Sequence, residues 1–164
     1  MMLAEAPQIL IALEQSGLGA AIRQSTWVYP TANVGHILAL TLFAGGVAAM
    51  DARLLGAFAA APPASIVRPA RRAAMLGLLL MALTGSVLFT AEASHVAMNR
   101  VFQIKAALIA LGLLNAWLVA RPLAVALAKA QPFEALPARV RLAALASLLI
   151  WISVATCGRL IAYF

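Results

Sequence analysis

A chain of 164 residues that is 65% hydrophobic and only 10% charged cannot coat itself with a water-facing surface; soluble domains are nearer half apolar and a quarter charged. The formal net charge of +7 would suit nucleic acid in a soluble protein, but here the basic residues fall between apolar runs, the pattern that orients membrane helices, and nucleic acid is excluded as a partner. The mean hydropathy of +0.99 points to one helical domain in a lipid bilayer.

The start, "MMLAEAPQILIALEQSG", carries acids and only a short apolar run, so no cleavable signal peptide is expected. Residues 1–25 read as an amphipathic helix lying in the interface. Ile9, Leu10, Leu13, Leu18 and Ile22 share a broad face, weakened by Gly17 and Gly19. Residues 26–164 form the transmembrane domain, with spans over about 28–50, 73–91, 101–120 and 142–161. Each is close to the roughly 20 helical residues that a bilayer core requires. Pro30 falls in the first turn of span one, where its missing N–H costs little. The fold class is all-α: a four-transmembrane-helix bundle preceded by an interfacial helix.

The connections predict orientation. Arg53, Arg68, Arg71 and Arg72 lie between spans one and two, with "APPAS" as a turn. Arg121, Lys129, Arg139 and Arg141 lie between spans three and four, with Pro122, Pro132 and Pro137 as breakers, so 121–140 reads as a short helix or loop. These cations are expected in the cytoplasm. "EASHVAMNR" and both termini then face the periplasm, and the setting is a bacterial inner membrane.

Within the apolar runs a few polar residues stand out. On span one Tyr29, Asn33, His36, Phe43 and Gly46 share a side, which turns His36 toward the bundle, roughly 9 Å in from Pro30. If span two continues through "AEASH", His95 extends a stripe of Gly77, Thr84 and Leu88. Lys105 shares a side of span three with Gly112 and Asn115, and Arg159 lies in the outer end of span four. Glu92 is the acid between spans two and three that can neutralise one of these cations. The surplus positive charge suits an anionic or carbonyl-bearing guest: haem propionates, a quinone or a lipid headgroup. Each residue also has a plainer reading. The histidines and asparagines can be interhelical contacts, Lys105 and Arg159 can snorkel to headgroups, and Cys157 can be a small packing residue. As the only cysteine, it excludes an intrachain disulfide and a CxxC metal motif. Trp27 best fits an interfacial belt; Trp117 and Trp151 can be anchors or core fillers.

"TWVYPTANVGHILAL", "MDARLLGA", "MNRVFQIKAAL" and "LLIWISVATCGRLIAY" resemble an uncharacterised bacterial family of four-helix integral membrane proteins, a domain of unknown function. The similarity covers nearly the whole chain after the N-terminal helix. More distantly the layout resembles the copper-resistance D membrane domain and compact b-type cytochromes. The resemblance picks out His36, Asp51, Arg53, Asn99, Lys105, Trp151 and Arg159 and leaves His95 open. Asp51 and Arg53 are expected to be structural, placed in water or in ion pairs at a helix end.

Three functions follow. The first is a redox accessory or electron-transfer protein with one haem b: His36 is an axial ligand, His95 a possible second, Asn33 stands beside them, and Lys105, Arg100 or Arg159 meets the propionates. With two histidines in the chain, one haem is the ceiling for bis-histidine ligation. The second is copper handling by His36, His95 and Met98. The third is a non-catalytic subunit of a larger membrane complex, redox or otherwise. Hydrolysis has no support, since no nucleophile–His–acid set is apparent and the five acids are scattered.

Overall fold

The computed structural model describes residues 6–161 and 163. Its helices are α1 (Gln8–Glu14), α2 (Gly17–Gln24), α3 (Val28–Leu55), α4 (Pro63–Ala91), α5 (Ala93–Met98), α6 (Arg100–Lys129) and α7 (Ala138–Leu160). Four of them, α3, α4, α6 and α7, are long and apolar enough to cross a membrane. The protein is a multi-pass membrane protein built as a helical bundle. Its two ends differ: the α3–α4 and α6–α7 connections make a basic end, and the α4–α6 connection with His95 makes a histidine end.

The N-terminal amphipathic segment is two short helices rather than one. Ser16 interrupts it with extended backbone and caps α2, its hydroxyl accepting from Gly19 N at 3.1 Å. The break folds α1 and α2 onto the histidine end. There Arg23 Nη1 donates to the carbonyls of Glu14 (2.7 Å) and Ala91 (2.8 Å). Residues 1–5 of the expected helix lie outside the described residues.

At the basic end the spans are longer than expected. α4 begins at Pro63, a proline at its first position, and α6 runs to Lys129. Arg68, Arg71, Arg72 and Arg121 are therefore on helices, not in loops. Arginine ends a hydrocarbon crossing without ending a helix, because it is a good helix former. Pro122, expected as a breaker, sits inside α6, where it removes one backbone bond and does not stop the helix. The connection proper contains Pro132 and Pro137, the latter at the start of α7. At 1.5 Å per residue these helices measure about 42–45 Å, more than the ~30 Å hydrocarbon core. The helices are thus long enough to extend past the hydrocarbon core.

At the other end the expected extension of α4 through His95 does not occur. α4 stops at Ala91, Glu92 leaves helical geometry (φ −140°, ψ 37°), and a separate α5 carries His95. Asn99 then caps α6, its side-chain oxygen accepting from Val101 N at 2.8 Å and Phe102 N at 3.2 Å.

Two helix pairs make the bundle. α3 and α4 touch through glycines: a Cβ on Gly46 would lie 2.7 Å from Ala70 O and Ala74 N, and one on Gly77 2.6 Å from Phe43 N. Small residues let backbones approach closely in lipid, where no hydrophobic effect drives helices together. α6 and α7 pair through the Asn115 amide, which donates to Ala143 O at 3.0 Å, and through Gly112, which leaves room for the Trp151 indole. α3 packs on α7 and joins the pairs, while α4 and α6 barely touch. Leu54, Val67, Leu123, Leu136 and Val140 close the core at the basic end. There Phe133 N donates to Ala59 O at 2.8 Å and ties the two connections together. Leu38, Leu79, Leu83, Leu118 and Leu149 are exposed on the outer faces, as hydrocarbon requires.

Candidate functional site

The four spans leave a cavity of about 490 Å³ between them, toward the histidine end. All four spans wall it: His36, Leu40 and Phe43 from α3; Met81, Gly85 and Phe89 from α4; Phe102, Lys105 and Ile109 from α6; Leu148, Trp151 and Ala155 from α7. Phe89 and Phe102 stack across the α4–α6 gap, with centroids 5.7 Å apart and planes 19° apart. Phe43 meets Trp151 edge-on at 4.6 Å, joining α3 to α7. The volume lies within the roughly 300–1,000 Å³ of small-molecule sites, and the lining follows their pattern of apolar walls with a few polar groups.

The polar groups of this wall are His36 and Lys105. His36 Nδ1 lies 2.8 Å from Thr84 Oγ1. The Thr84 hydroxyl has one proton to give, and Leu80 O lies within its reach, 2.7 Å away in its own helix. When that proton goes to Leu80 O, Nδ1–H of His36 donates to Thr84 and the Nε2 lone pair is left for a guest. Gly85 makes room for the ring, since a Cβ there would lie 3.2 Å from His36 Cε1. Lys105 reaches across to α7, where a Cβ on Gly158 would lie 3.4 Å from its Nζ. The cavity thus joins a nitrogen acceptor and an ammonium donor in an otherwise apolar chamber.

The other expected site residues lie elsewhere. His95 and Met98 are exposed on α5, and Arg100 is exposed at the start of α6. Asn33 is one turn from His36 but exposed. Arg159 is exposed and donates to the Tyr163 hydroxyl at 2.7 Å. The cavity wall brings together His36 and Lys105 and none of these five. Among the described residues no three His, Cys, Asp or Glu side chains gather as a metal group. Glu92 lies beside the Tyr29 hydroxyl. Glu14, on α1, accepts hydrogen bonds from the Ser94 hydroxyl and from Ser94 N (2.8 Å), which hold its carboxyl below the usual glutamate range.

Thr84, Gly85, Phe89 and Phe102 join the site without having been singled out for it. In the sequence Thr84 reads only as part of a packing stripe. One expectation is corrected outright. Asp51 and Arg53 lie neither in water nor in a pair with each other: they are 1% and 2% exposed, and Asp51 Oδ2 and Arg53 Nε lack hydrogen-bond partners. Residues two apart on a helix point in opposing directions, and α3 continues past both into contact with α4 and α7. Asp51 faces Ser147 of α7, and Arg53 Nη2 donates to Ala61 O at 2.8 Å.

A bundle of four apolar spans around a cavity places the protein among polytopic membrane proteins, and comparison with known families assigns it further. Residues 11–164 match the "Family of unknown function (DUF6644)", so the chain belongs to that family. No curated protein and no solved structure shows significant similarity to it.

Proposed function

We propose that the protein is a redox accessory protein that holds one b-type haem in the cavity, with His36 Nε2 as an axial ligand. The observation that carries this reading is the Thr84–His36 pair. Ligating histidines are usually oriented by a hydrogen bond at the other ring nitrogen, and Thr84 supplies that bond here. The residues present fit the group in three respects. Neutral imidazole binds haem iron, Phe43 and Trp151 offer flat apolar walls, and Lys105 offers a cation for a propionate. When bound, the haem would supply one-electron chemistry. His95 stands outside the wall, so of the two histidines His36 would be the one to hold the iron.

The setting we infer is the bacterial inner membrane with both termini periplasmic. An even number of spans puts the termini on one side. The eight Arg and Lys residues at the basic end favour the cytoplasm for the other. The haem would then sit in the periplasmic half.

A quinone is the second reading, favoured by the apolar lining of the cavity with one ammonium donor, Lys105. Its carbonyl would accept from Lys105. Copper held by His36, His95 and Met98 finds less support, because α5 carries two of the three away from the cavity. The exposed apolar faces of α4 and α6 also suit packing within a larger complex.

The test is the absorption spectrum of the purified chain, expressed with ample haem. A Soret band that sharpens on reduction is expected, with loss of the band in H36A and its retention in H95A. Colourless wild-type protein sinks the haem reading; colourless protein that co-purifies with quinone supports the second.

A further inference from the structure

A groove between α6 and α7 at the basic end lies apart from the cavity just described. It holds about 530 Å³ and is walled by Trp117, Leu118, Ala120, Arg121 and Pro122 of α6 and by Arg139 of α7. The Asn115 bond to Ala143 O, 3.0 Å, sets the register of these two antiparallel helices. Counted from that bond, Arg121 and Arg139 come within about one turn of the same level. Both stand at the edge of an apolar run. A crossing of roughly 20 residues ends at Ala120 on α6, and the next begins at Leu142 on α7. Trp117 is 73% exposed and lies one turn before Arg121 on the same face. An indole and a guanidinium thus follow each other outward from the apolar run, the order of an interfacial belt.

The backbone adds two features. Pro122 has no N–H, so the Leu118 carbonyl, on the groove wall, lacks its helical donor. Pro137 gives α7 no side-chain cap, and the free N–H groups of a first helical turn favour an anion. Among the described residues no Asp or Glu lines the groove, so its two arginines face no competing carboxylate. We propose that the groove binds one anionic phospholipid whose headgroup carries a hydroxyl, of the phosphatidylglycerol type. Arg121 and Arg139 take the phosphodiester, whose oxygens match the guanidinium fork. A headgroup hydroxyl donates to Leu118 O, and an acyl chain runs beside Trp117. A zwitterionic headgroup fits less well, because its cation would meet the two guanidiniums.

The experiment follows thermal unfolding of the full chain, delipidated in neutral detergent, as the micelles are doped with one lipid at a time. The probes are phosphatidylglycerol, phosphatidylmethanol, which has the same charge and no headgroup hydroxyl, and phosphatidylcholine. Phosphatidylglycerol should stabilise saturably. Phosphatidylmethanol should bind roughly 2- to 10-fold more weakly, the worth of one neutral hydrogen bond, and phosphatidylcholine should not stabilise. Arg121 and Arg139 are exposed, so R121Q and R139Q keep the fold, and each should weaken binding roughly 10- to 100-fold. Arg68 is exposed on α4 at the same end but outside the groove, so R68Q removes the same charge and should leave binding unchanged. P122A returns an N–H to Leu118 O and should erase the preference for phosphatidylglycerol over phosphatidylmethanol while keeping the dependence on the arginines. Equal stabilisation by all three lipids overturns the proposal. So does R68Q weakening binding as much as R121Q, which would mean diffuse charge attraction. Equal binding of the two anionic lipids to the wild type overturns the assignment of the hydroxyl-bearing headgroup. None of these readouts depends on haem.

Discussion

Replacing Thr84 by valine keeps the shape of the side chain and deletes the oxygen that His36 Nδ1 meets at 2.8 Å. A neutral hydrogen bond contributes about 0.5–1.5 kcal/mol net, and an unsatisfied buried donor costs about 1–3 kcal/mol. The ring is half-buried, so the lower part of that range applies, about 1–2 kcal/mol. Valine also loses the bond from Thr84 to Leu80 O, but such back-bonding in a helix contributes little or weakens it slightly. A double-mutant cycle separates the two. Detergent-solubilised wild type, T84V, H36A and T84V/H36A are unfolded by denaturant titration. T84V should cost about 1–2 kcal/mol alone and close to nothing when His36 is already alanine, because the Leu80 contact is common to both backgrounds. T84S, which keeps the hydroxyl, should restore most of the loss. Equal costs for T84V in the two backgrounds would refute the claim that Thr84 fixes the imidazole. The haem proposal adds a second readout: cofactor affinity should fall roughly 10- to 100-fold in T84V, as for other groups that orient a ligating histidine.

Other consequences are checked more briefly. G46A should destabilise the bundle by about 1–3 kcal/mol through overpacking, since its Cβ would meet backbone of α4 at 2.7 Å; denaturant unfolding measures it. Ser94 holds the Glu14 carboxyl below its ordinary range, so docking of α1 on α5 should be intact above that range. It should loosen as the pH falls through the lowered value, because the folded state then binds its proton later than the unfolded one. Protection of the Ser94 amide against hydrogen exchange, taken relative to the intrinsic rate at each pH, reads this, and E14Q should remove the pH dependence of that protection; protection that stays equally high in acid would contradict it. G112A should displace the Trp151 indole, whose ring atoms would lie 2.8–3.2 Å from the new methyl. In a W27F/W117F background the tryptophan emission should shift; an unchanged spectrum would mean that the indole is not held there.

The spans were legible because hydrocarbon imposes length and apolarity on every crossing, and no tertiary context can override that. Their ends were less so. Arg68 and Arg72 mark where the bilayer core stops, but helix continues through them to Pro63. The inward turn of His36 could be read from its face, because an imidazole in lipid needs a polar neighbour. His95 could not be placed, since one backbone break at Glu92 moved it from α4 to α5. The cavity was illegible for a deeper reason. It is walled by all four spans together, a property of tertiary packing, and nothing local marks it. Gly85 shows the difficulty well, since it reads as another small packing residue like Gly77. Its role can be isolated. In a helix interior, Gly→Ala gains about 1 kcal/mol of backbone propensity, while the new methyl would sit 3.2 Å from His36 Cε1 and push the ring by a few tenths of an ångström. The two effects oppose each other in stability but not in geometry. G85A should therefore unfold near the wild-type midpoint and yet shift the His36 imidazole resonances in a ¹⁵N-histidine spectrum, and the Soret band if haem is bound. Unchanged His36 resonances would mean that Gly85 is only a packing residue and that the imidazole has room to spare.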